Sequence, residues 1–457
     1  MQALKVNIKN DPHKVSILNK IFVFSILFEP LTYFVLVPQH FSGIGANISR
    51  LFQLFVLIGL LFNVLLTGKF RLFNPFSKLN KSFSYFFIYA IIVGIFGYIF
   101  GSYTLHIGDA LEISFDNIFS EVTNSYYFRP TFEYFISLYY FVYFVILMQY
   151  MLKNKADIDY FFRWFVYIFI ALLVIGFGDL IIQHLSGYAY EGLGRSLADD
   201  ENPGDRFHSL IGEPRDAFVY LTLSLGILTL RGVWDNNKNL NIFWIVIVLC
   251  ALYLTQSFSG VLGIIFTIVL LIYFYIPTLT FKKLLLFILL LVIAIFLIYI
   301  NVKYSLRMMK YIDAFISLYQ TLDAGDEITT QLRPARNNIY PLWSLWLEMR
   351  ENNFMHLFFG NGLGSASVVN NFYMKETGVI NPNSSIIRML YETGIIGCTL
   401  FLYAFISPIK LMYKGHRIYT NILFFTLLIF GTYLGHRSVA PFIFLGAAML
   451  VFSNKEK

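Results

Sequence analysis

Two stretches of this chain and a few isolated side chains carry residue types able to hold a phosphate or move a proton. The first stretch reads Arg206-Phe207-His208-Ser209-Leu210-Ile211-Gly212-Glu213-Pro214-Arg215-Asp216, and an apolar run follows it at once. Ionisable groups at the mouth of an apolar segment are costly unless something satisfies them. Arginine forks suit phosphate because they give two parallel charge-assisted hydrogen bonds, which marks Arg206 and Arg215. A carboxylate beside a hydroxyl can take its proton; Glu213 is the first candidate, with Asp216 and His208 next. The same charges would also mark a water interface, and Glu213 would equally suit a helix N-terminus.

The second stretch runs from Leu332 to Gly397. Arg333 and Arg336 flank Pro334, which argues against a plain helix before Asn337. From there Ile339, Leu342, Trp343, Trp346 and Leu347 recur at helical spacing, as in an interfacial amphipathic helix anchored by tryptophans. Tyr340 lies on it, and with Tyr126, Tyr127, Tyr188 and Tyr190 it suits stacking on sugar faces or an interfacial belt. Gly360-Asn361-Gly362-Leu363-Gly364 follows, without the strand and helix of a nucleotide loop, and reads as a hinge. Asn383-Ser384 stands at the lip of the next apolar run.

Isolated ionisable residues fall inside or beside apolar runs: Glu29 before Pro30, Asp179, Arg388 and Glu392, and His436-Arg437. Within a membrane such residues are functional candidates by default. Glu29 could instead hydrogen-bond across helices, and Arg388 and Glu392, four apart, can pair on one helix face or line a diphosphate pocket. Thr255-x-Ser257-x-Ser259-Gly260 offers small residues suited to close helix packing.

The elements that must position these groups are membrane helices. The chain has 457 residues, 57% hydrophobic, 19% aromatic and only 13% charged. A soluble chain carries about 25% charged residues, so the class is all-α and polytopic. Twelve spans are expected, near 15–37, 48–66, 82–100, 131–151, 160–184, 217–230, 240–254, 260–276, 284–300, 385–406, 421–434 and 439–452. Residues 1–300 would hold helices 1–9 with outer loops near 102–130 and 185–216. Residues 301–382 would form a large outer loop with the interfacial helix, and 383–457 helices 10–12.

The net charge of +7 is of the sign nucleic acid attracts, but the lysines and arginines sit in short alternate loops with the basic N-terminus. By the positive-inside tendency these loops and both termini are cytoplasmic, and the long N-terminal apolar run lacks a signal-peptide cleavage pattern. Function is then expected on the outer side. Cys250 and Cys398 fall within spans, so neither a disulfide framework nor a metal cluster is implied. No internal repeat of the kind transporters show is visible.

Taken in order, these motifs resemble the bacterial O-antigen polymerases of the Wzy type, within the superfamily shared with O-antigen ligases. The resemblance rests on Arg206 with Gly212-Glu213-Pro214, the Thr255-Ser257-Ser259-Gly260 turn, and Arg333 and Arg336 ahead of the Gly360–Gly364 cluster. It also rests on Asn383-Ser384, separated by nine residues from Gly394-x-x-Gly397. It covers most of the chain in topology and only short segments in sequence. Ligases typically place a histidine where Asn383 stands; an amide cannot act as a base, which favours the polymerase.

The resemblance implies a metal-independent glycosyltransferase without cofactor, in the bacterial inner membrane with its site at the periplasmic face. It would move a growing glycan from undecaprenyl diphosphate to the non-reducing end of an incoming lipid-linked repeat unit. A chain-length regulator is a further partner in such systems. Arg206, Arg333 and Arg336 would stabilise the leaving diphosphate and Glu213 would assist the acceptor. Arg215, Asp216, His208, Asn383, Arg388 and Tyr340 would bind substrate. A ligase with a lipid A core acceptor, or a flippase of lipid-linked oligosaccharide, are the alternatives.

Overall fold

The computed structural model describes residues 15–31, 35–37, 46–68, 80–100, 128–186, 207, 209–211, 214–235, 242–255, 257, 313, 316–317, 342, 345, 349, 354–366, 385–412, 429 and 438–455. The described chain is helical: α1 (Ile17–Leu27), α2 (Ile48–Thr67), α3 (Lys81–Phe100) and α4 (Phe128–Tyr140). A π-helical stretch (Phe141–Leu147) continues α4 into α5 (Met148–Met151). Then come α6 (Lys155–Ser186), α7 (Pro214–Trp234), α8 (Ile242–Leu254), the short α9 (Phe354–Phe359), α10 (Ser385–Met412) and α11 (Ala440–Lys455). Strands β1 (Val35–Val37) and β2 (Ala46–Asn47) pair antiparallel and return the chain from α1 to α2.

Five segments are long and apolar enough to cross a membrane: Ile48–Thr67, Tyr134–Met151, Lys155–Ile182, Asp216–Trp234 and Ile386–Pro408. Shorter apolar helices occupy Ile17–Leu27, Lys81–Phe96 and Ala440–Phe452. These helices fit a multi-pass membrane protein. The expected spans at 260–276 and 284–300, and that at 421–434 apart from Ile429, lie outside the described residues, as does most of 301–382.

α2 shows why the surroundings are apolar. Its buried residues are Ser49, Gln53 and Val56, one face at helical spacing, whereas Leu61, Phe62, Leu65 and Leu66 are 58–85% exposed. A helix of a soluble domain turns its apolar stripe inward. Here the polar stripe points inward.

The first expected span is shorter than the sequence suggests. Ser16 caps α1, its Oγ accepting the Asn19 N–H at 3.1 Å, and the helix stops at Leu27. Pro30 disfavours helix at Glu29 and brings no N–H of its own, so the chain turns there and residues 35–37 become a strand.

α11 is the core of the bundle, buried from Ala440 to Phe452. It crosses the π-helical stretch closely enough that a Cβ at Gly446 would strike the Phe144 carbonyl oxygen. Small residues are what permit such approach between membrane helices.

α10 is broken. Gly394 is non-helical inside it (φ 67°, ψ −176°), which strips carbonyls of their intrahelical donors. The Gly360–Gly364 turn supplies replacements: Asn361 N–H donates to the Tyr391 carbonyl at 3.1 Å and Gly362 N–H to that of Glu392 at 2.7 Å. The Tyr89 hydroxyl of α3 lies 3.1 Å from the carbonyl oxygens of both Thr393 and Phe359. The glycine cluster expected as a hinge is thus a docked turn. Leu345, from the expected interfacial helix, is buried against Ala366 and Tyr391, while Leu342 of its apolar stripe faces outward.

Gly360 tests this docking. It sits at φ 85°, and a Cβ there would lie 2.5 Å from the Glu392 carbonyl oxygen. Gly360→Ala should destabilise the protein by at least about 1–2 kcal/mol from the left-handed backbone alone, before the collision is counted. Gly94→Ala in α3, with open space around it, is expected to be nearly neutral. Thermal unfolding of the two purified variants reads the difference.

Candidate functional site

The turn after α1 places Glu29 against the N-terminus of α2. Its Oε1 accepts from Arg50 Nη2 at 2.7 Å. Its Oε2 accepts from Ser49 Oγ at 2.6 Å and Gln53 Nε2 at 2.7 Å. Gln53 Oε1 in turn accepts from Arg50 Nη1 at 2.8 Å and from the Tyr139 hydroxyl at 2.6 Å. Ser49, Arg50 and Gln53 fall within the first two turns of α2, so one helix end delivers all three donors, and its dipole favours the carboxylate as well. The Arg50 guanidinium lies 5.8 Å from the Tyr140 ring centre, a cation–π contact. Deeper in, Ser25 Oγ and the Tyr143 hydroxyl share a 2.7 Å hydrogen bond that ties α1 to the π-helical stretch.

This network opens onto a cavity of about 200 Å³. The end of α1 and the starts of α2, α7 and α11 meet there, and Tyr140 brings in the last turn of α4. Glu29, Arg50, Tyr140, Asp216, Tyr220 and Ser438 supply its polar and aromatic wall; Val219, Leu223 and Ile443 are among its apolar lining. Asp216 stands in the first turn of α7. At the start of α11, Ser438 Oγ accepts the Ala440 N–H at 3.1 Å.

Neither family models, nor curated proteins, nor solved structures give a match to the chain.

Of the residues singled out in the sequence, Asp216 lines the cavity. Arg215 precedes it in α7, with a side chain outside the described residues. Arg388 instead pairs with Glu392 on α10, Nε to Oε1 at 2.7 Å, both buried, which is the same-face pairing the spacing allowed. Arg206, His208, Glu213, Arg333, Arg336, Tyr340 and Asn383 lie outside the described residues. Glu29 does hydrogen-bond across helices, one of the two roles open to it.

Arg50 and its neighbours Ser49, Gln53, Tyr139 and Tyr140 were missed. A signal was present, since Arg50 is the one charged residue in the twenty of α2. An ionisable residue in an apolar helix calls for a partner, and Glu29 called for one too.

The pair sets a stability test. Removing one member of a buried ion pair costs about 3–5 kcal/mol, and because the Arg50 side chain is 35% exposed the cost here should be nearer about 2 kcal/mol. Arg50→Ala should lower unfolding stability by that amount, and Arg50→Ala combined with Glu29→Gln should recover about half of it. A double-mutant cycle by denaturant titration in detergent measures the coupling.

Proposed function

We propose that this chain is a glycosyltransferase that lengthens a bacterial surface polysaccharide, an O-antigen polymerase drawing on undecaprenyl-diphosphate-linked units. It spans the inner membrane twelve times with both termini cytoplasmic, and residues 301–382 form its large periplasmic loop. The observation that carries the reading is the cavity at Asp216. It joins the ionisable Arg206–Asp216 segment to a second set of charged residues, Glu29 and Arg50, where four helix ends meet. Those ends, of the first expected span and at the starts of the second, sixth and twelfth, are ones that charge alternation assigns to the outer side. A second support is the docking of the Gly360–Gly364 turn on Glu392 and Gly394, which joins two of the motifs behind the resemblance.

In the reaction the bond between the anomeric carbon of the donor sugar and the lipid diphosphate oxygen breaks, and its electron pair leaves with the diphosphate. The acceptor hydroxyl oxygen bonds to that carbon, and its proton passes to a carboxylate and then to water. Arg206, Arg333 and Arg336 stabilise the negative charge as it develops on the leaving group. Glu213, or Asp216 beside it on the same segment, receives the proton.

Arg206→Ala and Arg336→Ala should each reduce chain lengthening by at least about a hundredfold, the loss of one well-placed electrostatic donor. The protein should still accumulate in the membrane. Gel profiles of the surface polysaccharide read the outcome: single repeat units attached to the surface lipid are expected, and normal long chains from both variants would refute the assignment.

A further inference from the structure

The cavity holds two carboxylates and one guanidinium among its described lining residues, a formal sum of −1. The guanidinium is already committed, since Arg50 donates to both Glu29 and Gln53. The three helix N-termini that meet there are also answered. Glu29 takes donors from the first turns of α2, Asp216 stands in the first turn of α7, and Ser438 accepts at the start of α11. A phosphate placed in this cavity would meet carboxylates on two sides with its cationic partner already spent.

A sugar ring has the opposite needs. Its hydroxyls donate to carboxylate oxygens, each of which accepts more than one hydrogen bond, and its C–H face lies well against aromatic rings. Glu29 and Asp216 supply the acceptors, Tyr140 and Tyr220 the rings, and Ser438 a hydroxyl. About 200 Å³ suits a single monosaccharide and falls below the pockets that enclose drug-sized ligands.

We propose that the cavity bounded by Glu29, Tyr140, Asp216, Tyr220 and Ser438 is a subsite for one uncharged sugar ring, the terminal residue of the acceptor glycan. This rests on the glycosyltransferase reading for the words "acceptor glycan" and on the cavity alone for the sugar. It divides the work within the molecule: the diphosphate belongs with Arg206, Arg333 and Arg336, and Arg50 is a positioning residue that fixes the Glu29 carboxylate.

The test is thiol protection. In full-length protein carrying Cys250→Ala and Cys398→Ala, Ser438→Cys places one thiol on the cavity wall for a small methanethiosulfonate reagent. The probes are the lipid-linked repeat unit isolated from the producing strain, methyl glycosides of its sugars, sugar-free undecaprenyl phosphate and inorganic pyrophosphate. The repeat unit, at about ten times its Kd, should slow modification about tenfold by mass action, and one methyl glycoside should do so at higher concentration. Asp216→Asn should raise the concentration needed by about tenfold, the loss of a hydrogen bond to a charged group.

Equal protection by pyrophosphate or the sugar-free lipid would overturn the subsite, as would protection by none of the four. Chain lengthening is scored separately in the Cys250→Ala, Cys398→Ala protein that keeps Ser438. Protection without lengthening keeps the sugar subsite and removes the transferase reading; lengthening without protection removes the subsite alone.

Discussion

The Glu29 carboxylate is the constraint around which this end of the molecule is arranged. A charged group only 7% exposed at the tip of an apolar helix would cost several kcal/mol if left without partners. Three side chains of α2 meet that cost, and they can do so only if α1 stops where it does. Pro30 stops it, and the β1–β2 ribbon turns the chain back so that the first turns of α2 face the carboxylate. Gln53 then passes the network to Tyr139, which fixes α4, and Tyr140 beside it forms one wall of the cavity. The cavity is a consequence of satisfying one buried charge.

The break in α10 obeys the same rule with neutral groups. Backbone carbonyls cannot be left open in an apolar medium, so a helix interrupted at Gly394 needs donors from elsewhere. The Gly360–Gly364 turn and Tyr89 provide them. The requirement is mutual: a side chain at Gly360 would collide with the broken helix, and one at Gly394 with the Phe358 carbonyl. Glycine at both positions is therefore one feature, a backbone-to-backbone joint between segments some thirty residues apart.

What the sequence made legible follows from range. The apolar runs that became α2, α3, α4 with α5, α6 and α7 stand out because hydropathy is a local property, and the Arg388–Glu392 pair stands out because both residues share one helix. Glu29 could be recognised as demanding a partner, while Arg50 was passed over, since nothing local joins residues separated by a ribbon. The early end of α1 was hidden because its apolar run continues past Pro30 to Val37, and composition outweighed the proline. The docking of Asn361 and Gly362 on α10 depends on a fold that periodicity cannot supply. Arg206, Arg333 and Arg336 lie outside the described residues.

Electrostatics explains why a cavity with two carboxylates can persist at this depth. Helix N-termini carry partial positive charge that is felt within about one turn. α2, α7 and α11 all begin at the cavity: α2 donates to Glu29, α7 carries Asp216 in its first turn, and the Ala440 N–H of α11 donates to the Ser438 hydroxyl. Glu29 is therefore held by the dipole of α2 and by Arg50 together, and Asp216 stands in the first turn of α7, where the dipole favours a carboxylate. What remains toward the open space is acceptor-rich and aromatic, a surface that favours a ligand bringing hydroxyl protons over one bringing negative charge. The transferase proposed above needs both kinds of surface close together, one for the anion that leaves and one for the hydroxyl that attacks, and this cavity has the character of the second.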